Sequence, residues 1–442
     1  MIVRFLALAA LLAWLAPAAV FAAQVAASLL PARRRKAAGG GSVVVLVPAH
    51  NEGPPVADTV AHLLPELGED DRLVVVADNC TDDTAGAARR GALTAGGGSD
   101  RRVTVLERID PDVRGKGHAL DFALNHLVEE GVEPDAVFVL DADCRVSPGG
   151  VRELAGACAA TGRPVQARTL CEVDPATDPD AAGLMAVSEL GLLFKNHVRP
   201  RGAARLGVPC QLMGTGMALP WDLLMTARRD PDVDGGVGGV FGGELAEDMQ
   251  FGVDAALAGR APIFLPDVRV TSPLPTSVRG FDGQRTRWEQ GHLHTLTHGV
   301  PKLAKHGILK DDLRALGLAA DLAVPPFSLL VVGWFAVAAV LAAAWWWSGF
   351  VAAFVVHLVA GAVLAGAVLA GWWRFGRDRV SPRVLLSVPK FVARKLPIYS
   401  RFFTRRGETE WVRTERAREN PAAAANDARD PAAARPPAEA AR

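Results

Sequence analysis

The sequence predicts an α/β domain built on a mostly parallel sheet and held between an N-terminal transmembrane helix and a C-terminal transmembrane hairpin. Three observations predict it. Strand-like and helix-like stretches alternate through the middle of the chain, polar clusters fall where the strands end, and two long uncharged runs flank that middle. Strand, loop and helix in repetition give a parallel sheet covered by helices, and such sheets bind ligands beyond the carboxyl ends of their strands.

The first uncharged run, Phe5–Leu30, is long enough to cross a hydrocarbon core of about 30 Å as a helix. Arg33, Arg34, Arg35 and Lys36 follow and place the next segment in the cytoplasm. A cleaved leader is the rival reading. The run exceeds the usual ~7–15 apolar residues of a leader, and the basic cluster follows it instead of preceding it. The second run, Leu322–Trp373, holds two spans with Ser348-Gly349 as the turn. Trp345, Trp346 and Trp347 before the turn, and Trp372 and Trp373 at the end, fit interfacial belts. Arg374, Arg377 and Arg379 mark a cytoplasmic exit, which predicts a multi-pass protein of the inner (plasma) membrane. His357 reads as a neutral histidine at a helix–helix contact.

Between the runs, Val43–Val47 is a continuous apolar, β-branched strand, followed by a Pro/Asn loop and a helical stretch towards Leu67. Leu73–Ala77 and Val103–Leu106 are further strands, Gly117–Glu130 is a helix with Ala119, Phe122, Ala123 and Leu127 on one face, and Ala136–Leu140 is another strand. Asp230–Gly243 reads as a mobile glycine-rich loop, and Pro389–Phe403 as an amphipathic helix on the cytoplasmic leaflet. The expected units are an anchor at 1–32, the α/β domain at 40–300, an interfacial linker at 301–321, two transmembrane helices at 322–373, an amphipathic segment at 374–417 and a disordered tail at 418–442.

Charge and cysteine usage exclude several classes. Lys+Arg and Asp+Glu both number 48, so the basic excess of a dedicated nucleic-acid binder is missing. Five scattered cysteines without a C-x-x-C pair argue against a disulfide framework and a structural zinc site.

The polar clusters carry the chemistry. Asp141-Ala142-Asp143 at a strand end offers paired hard oxygens suited to Mg²⁺ or Mn²⁺; D-x-D is also common as a solvated turn. Arg114-Gly115-Lys116-Gly117 opens a helix, where glycine backbone, helix N-terminus and two cations favour an anion. It equally describes a flexible basic turn and is not a Walker sequence. Glu247-Asp248 opens an apolar-periodic stretch; it either complements a helix N-terminus or supplies a carboxylate that removes a hydroxyl proton. In Gln284-Arg285-Thr286-Arg287-Trp288, Arg287 offers a donor fork to phosphate and Trp288 a broad apolar face. The same stretch also reads as an amphipathic interfacial helix.

Taken in order, P-A-H-N-E (48–52), D-N-C-T-D-D-T (78–84), R-G-K-G-H-A-L (114–120), D-A-D (141–143), M-G-T-G-M-A-L (213–219), E-D (247–248) and Q-R-T-R-W (284–288) resemble the inverting family 2 glycosyltransferases. The likeness is greatest to the membrane-bound branch of cellulose, chitin, hyaluronan and poly-N-acetylglucosamine synthases, over residues 40–300 and the hairpin. The resemblance implies a Rossmann-like GT-A fold, a nucleotide-sugar donor, usually a UDP-sugar, and Mg²⁺ or Mn²⁺. By it, Pro48, Asn51, Glu52, Asp78, Arg114, Lys116 and Asp141 hold the nucleotide-sugar, and Asp143 with Asp141 holds the metal. Gly214, Thr215, Gln284, Arg287 and Trp288 hold acceptor and diphosphate, while Asp248, beside Glu247, is the catalytic base. The implied reaction transfers a sugar with inversion to a growing polysaccharide or glycan at the cytoplasmic membrane face. The alternatives are single addition to a lipid carrier and a catalytically silent glycan-binding membrane subunit. Asp78-Asn79-Cys80 departs from the family's acidic pattern, and three spans are few for a polymer channel. Export would then need a homo-oligomer or a separate exporter.

Overall fold

The computed structural model describes residues 1–31, 40–96, 100–173, 177, 179–228, 239–242, 246–275 and 278–403. The basic cluster at 33–36, most of the glycine-rich 230–243 loop and the tail after 403 lie outside the described residues.

The four expected strands form where the apolar runs lie: β1 (Val43–Ala49), β2 (Arg72–Asp78), β3 (Val103–Arg108) and β4 (Ala136–Val139). The structure adds β5 (Arg145–Val146), β6 (Val165–Glu172), β7 (Met217–Pro220) and β8 (Ile263–Pro273). They make one sheet in the order β3-β2-β1-β4-β7-β6-β8-β5. Alternation along β1 explains its unbroken apolar run, because both faces are covered. Val43, Val45 and Val47 pack with Val56, Val60 and Leu154 on one side, while Val44 and Leu46 pack with Leu120, Leu124 and Phe251 on the other.

The chain leaves β1 for β2 and β3 on one side, then returns to β4 on the other. That reversal opens a crevice at the carboxyl ends of β1 and β4, where the polar clusters stand. β1, β2, β3 and β4 pair in parallel, as do β6 and β8, but β7 runs antiparallel between β4 and β6. An antiparallel strand begins where its parallel neighbour ends. Met217 therefore lies opposite Val139, and the preceding Gly214–Gly216 turn falls beside Asp141. The expected helices are present at Pro54–Leu63, Lys116–Glu129 and Glu247–Leu257. The boundary expected at residue 300 falls inside one helix, Val278–Lys310. It and helix Leu313–Leu322 bury Leu303, Leu318 and Leu322 against Val253 and Ala256 of the α/β domain, so residues 301–321 are part of its packing.

Among the described residues, three helices are long and apolar enough to cross a membrane: Ile2–Ser28, Phe327–Ser348 and Val351–Gly376. Gly349 makes the turn between the last two in the left-handed region, φ 66°. His357 is buried at their contact and bonds the Trp334 carbonyl at 2.9 Å. The N-terminal helix packs Trp14, Phe21 and Val25 against Leu193, Phe194, Leu330 and Leu364. Helix Arg199–Leu206 crosses it so closely that a Cβ on Gly202 would stand 1.8 Å from the Gln24 carbonyl oxygen.

A buried polar knot fixes that crossing. Arg199 Nε donates to Gln24 Oε1 at 2.8 Å, Arg199 Nη2 donates to Asp321 Oδ1 at 2.8 Å, and Gln24 Nε2 donates to the same Asp321 oxygen at 2.8 Å. All three residues are at most 4% exposed. Arg199→Ala strands a buried carboxylate and should cost about 3–5 kcal/mol. Replacing Arg199 and Asp321 together by apolar residues should cost less. Unfolding midpoints of the two variants in detergent check the order.

Candidate active site

The first two loops are tied together by side chains. Asn51, at φ 51°, accepts the Thr81 N–H on its Oδ1 at 2.7 Å, and Thr84 Oγ1 accepts the Glu52 N–H at 2.9 Å. His50 bonds the Asp78 carbonyl at 2.6 Å. Asp78, at the end of β2, receives Arg108 Nη1 at 2.7 Å in a largely buried ion pair. Asn79 also has positive φ, donates to Asp78 Oδ1 at 3.2 Å and accepts the Asp110 N–H at 2.8 Å. An amide, unlike a carboxylate, does both, which accounts for asparagine at this departure from the acidic pattern.

The crevice floor gathers residues that are far apart in sequence. Lys116 Nζ donates to Asp141 Oδ1 and to the Gly214 carbonyl, each at 2.5 Å. Thr215 Oγ1 accepts the Asp141 N–H at 3.0 Å. Gly214 has φ 77°, and a Cβ there would stand 3.3 Å from Asp248 Oδ2 and 3.6 Å from Lys116 Nζ. A small residue is needed for this backbone to approach both groups. Lys116, Asp141, Gly214, Thr215 and Asp248 therefore line one crevice. Gln166, fully buried on β6, holds the turn from below: its Oε1 accepts the Met213 N–H at 2.9 Å and its Nε2 donates to the Thr215 carbonyl at 2.9 Å.

Charge explains the electrostatics. Burial alone would lower the Lys116 ammonium, but Asp141, Glu247 and Asp248 outweigh it and hold it above the ordinary lysine range. Burial and the Asp248 charge push Glu247 up to about 7. Burial also raises Asp248, with Lys195 and Lys116 pulling the other way.

Asp141 and Asp143 suit a divalent cation. Their carboxylate oxygens and the Cys144 sulfur lie within 4.8 Å of one another. Cys144 is buried, its pKa is raised by burial and by both aspartates, and its thiol donates to Asp143 Oδ1 at 3.6 Å. A protonated thiol is no ligand for a hard ion, so the donor set is two carboxylates, fitting Mg²⁺ or Mn²⁺ with substrate oxygens.

Arg114 lies on the exposed rim, with Nε on the Pro111 carbonyl at 2.9 Å. Pro48 is the half-buried penultimate residue of β1, followed by buried Ala49. Gln284, Arg287 and Trp288 share one face of helix Val278–Lys310 by their spacing. Trp288 packs with Met185, Phe281 and Phe391. It also lines an apolar cavity with Phe21, Leu190, Phe327, Lys195 and Arg285.

Three positioning features escaped the sequence reading. Lys195 sits in a π-helical turn, Phe194–Val198, and burial lowers it to about 8 while Asp248 pulls it up. It is the only charged residue in Leu190–Val198, the one signal that could have exposed it. Asp121 accepts the N–H groups of Val240, Phe241 and Gly242 at 2.7, 3.1 and 2.6 Å, fixing the backbone at 240–242. Glu289, beside Trp288, forms a buried ion pair with Lys395, which docks helix Val388–Phe403. That helix buries Phe391, Val392 and Tyr399 against the protein and exposes Leu396 on its other side.

A family model described as glycosyltransferase like family 2 matches residues 40–291, more than half of the chain. No curated protein matches. Among solved structures, the mannosyltransferase PcManGT from Pyrobaculum calidifontis, in complex with GDP-Man and Mn²⁺, is similar at 21% identity and TM-score 0.50, covering 89% of this chain and 98% of that one. Glucosyl-3-phosphoglycerate synthase from Mycobacterium tuberculosis, in complex with Mn²⁺, UDP and phosphoglyceric acid, is similar at 20% identity and TM-score 0.36, over 59% and 79% of the two chains. The α/β domain is GT-A-like, and the crevice stands at the carboxyl ends of its parallel strands. The chain belongs to glycosyltransferase family 2 and is a nucleotide-sugar-dependent sugar transferase.

Proposed function

We propose that this enzyme transfers a sugar, with inversion, from a nucleotide-sugar to a glycan or lipid-linked acceptor at the cytoplasmic face of the inner membrane. The observation that carries the reading is the meeting of Lys116, Asp141, Gly214 and Asp248 in one crevice. Asp141 and Asp143 would hold Mg²⁺ or Mn²⁺, a reading supported by the Mn²⁺ complex of the similar mannosyltransferase. The bound ion supplies positive charge against the leaving diphosphate. Lys116 fixes Asp141 and adds charge nearby. Asp248, against the Gly214 turn, takes the acceptor hydroxyl's proton as that oxygen attacks the anomeric carbon from the face opposite the diphosphate. Arg287 and Gln284 steady the diphosphate, and Trp288 the acceptor. Three apolar helices and the arginines at 374, 377 and 379 support the membrane placement.

The Glu247-Asp248 and Gln284–Trp288 motifs support a polysaccharide acceptor, built up by repeated addition. A second reading, single addition to a lipid carrier, is favoured by the cavity beside Trp288. Phe21, Leu190, Phe327 and Phe391 line it, which suits an alkyl chain better than a glycan, and Lys195 and Arg285 supply cationic heads. Membranes incubated with UDP- and GDP-sugars and Mg²⁺ or Mn²⁺ should transfer sugar with inverted anomeric configuration. Product sizing separates the readings: a ladder of oligomers fits the first, one sugar on an extractable lipid the second. No transfer from any donor would reject both.

The pH profile tests the base. Asp248 must be ionised, so kcat/KM should fall as pH drops through the raised pKa values of the Glu247–Asp248 pair. Glu247→Gln removes a like charge and should move the acid limb to lower pH. Lys195→Met removes a cation that favours ionised Asp248 and should move it higher. Parallel shifts in both variants would contradict the assignment.

A further inference from the structure

A second recess lies on the other side of the Phe194–Val198 turn, away from the crevice residues. It measures about 300 Å³ and is lined by Arg168, Leu170, Leu193, His197, Arg269, Arg374, Phe375, Asp378 and Arg379. Its charge is one-sided. Arg168 on β6 stands in register with Arg269 on β8, an arrangement of like charges that destabilises a sheet unless something answers it. Arg168 Nε is buried without a hydrogen-bond partner among the described residues. His197 is 5% exposed, and its Nδ1 likewise has none.

The other groups around the recess do not neutralise it. Arg379 is answered by Glu189 at 2.9 Å and Glu172 at 3.2 Å. Arg201 spends Nε on the Ser28 carbonyl at 3.0 Å and lies over Phe375, as Arg374 does at 5.2 Å. Asp378 is the one acid in the lining; it is almost fully exposed and 3.6 Å from Arg377. Asp267 acts on Arg168 more weakly than Arg269 does. Burial and the surrounding arginines keep His197 neutral, so the cationic excess is carried by guanidinium groups.

We propose that this recess binds a phosphate group, and that its source is the headgroup of an anionic membrane phospholipid. Guanidinium forks match phosphate oxygens, and neutral His197 can add one N–H. The recess sits at Arg374–Arg379, where the last apolar helix ends, and its Leu170, Leu193 and Phe375 wall continues the cluster formed by the apolar helices. A headgroup held there leaves its acyl chains against that wall. Basic pockets beside membrane-spanning helices recognise lipid headgroups by the same physics. The phosphate chemistry stands on the arginines alone; the lipid source rests on the membrane reading above.

The test uses the full chain in nanodiscs and in detergent, reading the unfolding midpoint and, by native mass spectrometry, retained lipid. Phosphatidylglycerol should raise the midpoint over phosphatidylcholine, and R168Q/R374Q should remove that gain and weaken lipid retention by at least about tenfold. R168K/R374K keeps the charge and should retain part of it. UDP–Mn²⁺ binding by R168Q/R374Q serves as the check on folding, with no turnover needed. If inorganic phosphate in detergent reproduces the gain and phosphatidylglycerol adds nothing, the anion site stands and the lipid source falls. Equal midpoints in all three settings, or an equal phosphatidylglycerol response from R168Q/R374Q, would overturn the proposal.

Discussion

Asp248→Asn should lower kcat by about 10²–10⁴-fold while leaving nucleotide binding nearly unchanged, the usual range for loss of a general base. The amide keeps the carboxylate's shape and can still accept the Met249 N–H, which Asp248 Oδ1 now receives at 2.8 Å. It cannot take a proton from an attacking hydroxyl. The substitution also removes one of two crowded acids, so the variant should unfold no earlier than the wild type. That combination separates a chemical defect from a folding defect. Single-turnover rates with donor in excess, beside calorimetric binding of the nucleoside diphosphate, make the measurement; an undiminished rate would remove Asp248 from the chemistry.

Chelation of the divalent ion should abolish transfer, and Asp143→Ala should come close to it. Loss of the ion's charge stabilisation removes several kcal/mol from the transition state, on the order of 10³-fold or more in rate. Asp141→Asn should be milder than Asp143→Ala. Lys116 donates to Asp141 Oδ1 at 2.5 Å, and an asparagine there keeps an oxygen to accept that bond, whereas alanine at 143 removes a carboxylate of the metal-binding pair outright. Nucleotide affinity should weaken with the rate, because an ion held by Asp141 and Asp143 would supply positive charge to the diphosphate. Titrating Mn²⁺ back into each variant gives the order directly; Asp141→Asn proving the more damaging would reverse the division of labour between the two aspartates.

The parallel half of the sheet was legible because its strands are buried on both faces and read as unbroken apolar runs, with polar residues where each stops. Asp78, Asp141 and Asp143 could be placed at strand ends for the same reason. β7 was not legible. Four residues, Met217–Pro220, carry too little period to tell strand from buried helix, and no local feature reports an antiparallel insertion. Lys195, Asp121 and Gln166 act through partners 53, 119 and 47 residues away in the chain, at Asp248, Val240 and Met213, and spacing rules cannot see such pairings. The opposed Arg168 and Arg269 depend on the register of β6 with β8, including a shift between Ala167 and Arg168.

The knot of Gln24, Arg199 and Asp321 joins the first helix to the sugar-transferring body through three directional bonds and a crossing that tolerates no added methyl group. Such a joint has no swivel. On the membrane placement proposed above, an angle imposed by a bilayer on that helix would be passed on to the crevice and would set its height and heading above the lipid. Trimming the chain to start at Gly40 in search of a soluble enzyme would remove Gln24 and uncover Phe194 and Val198, leaving a body built to be carried without its carrier.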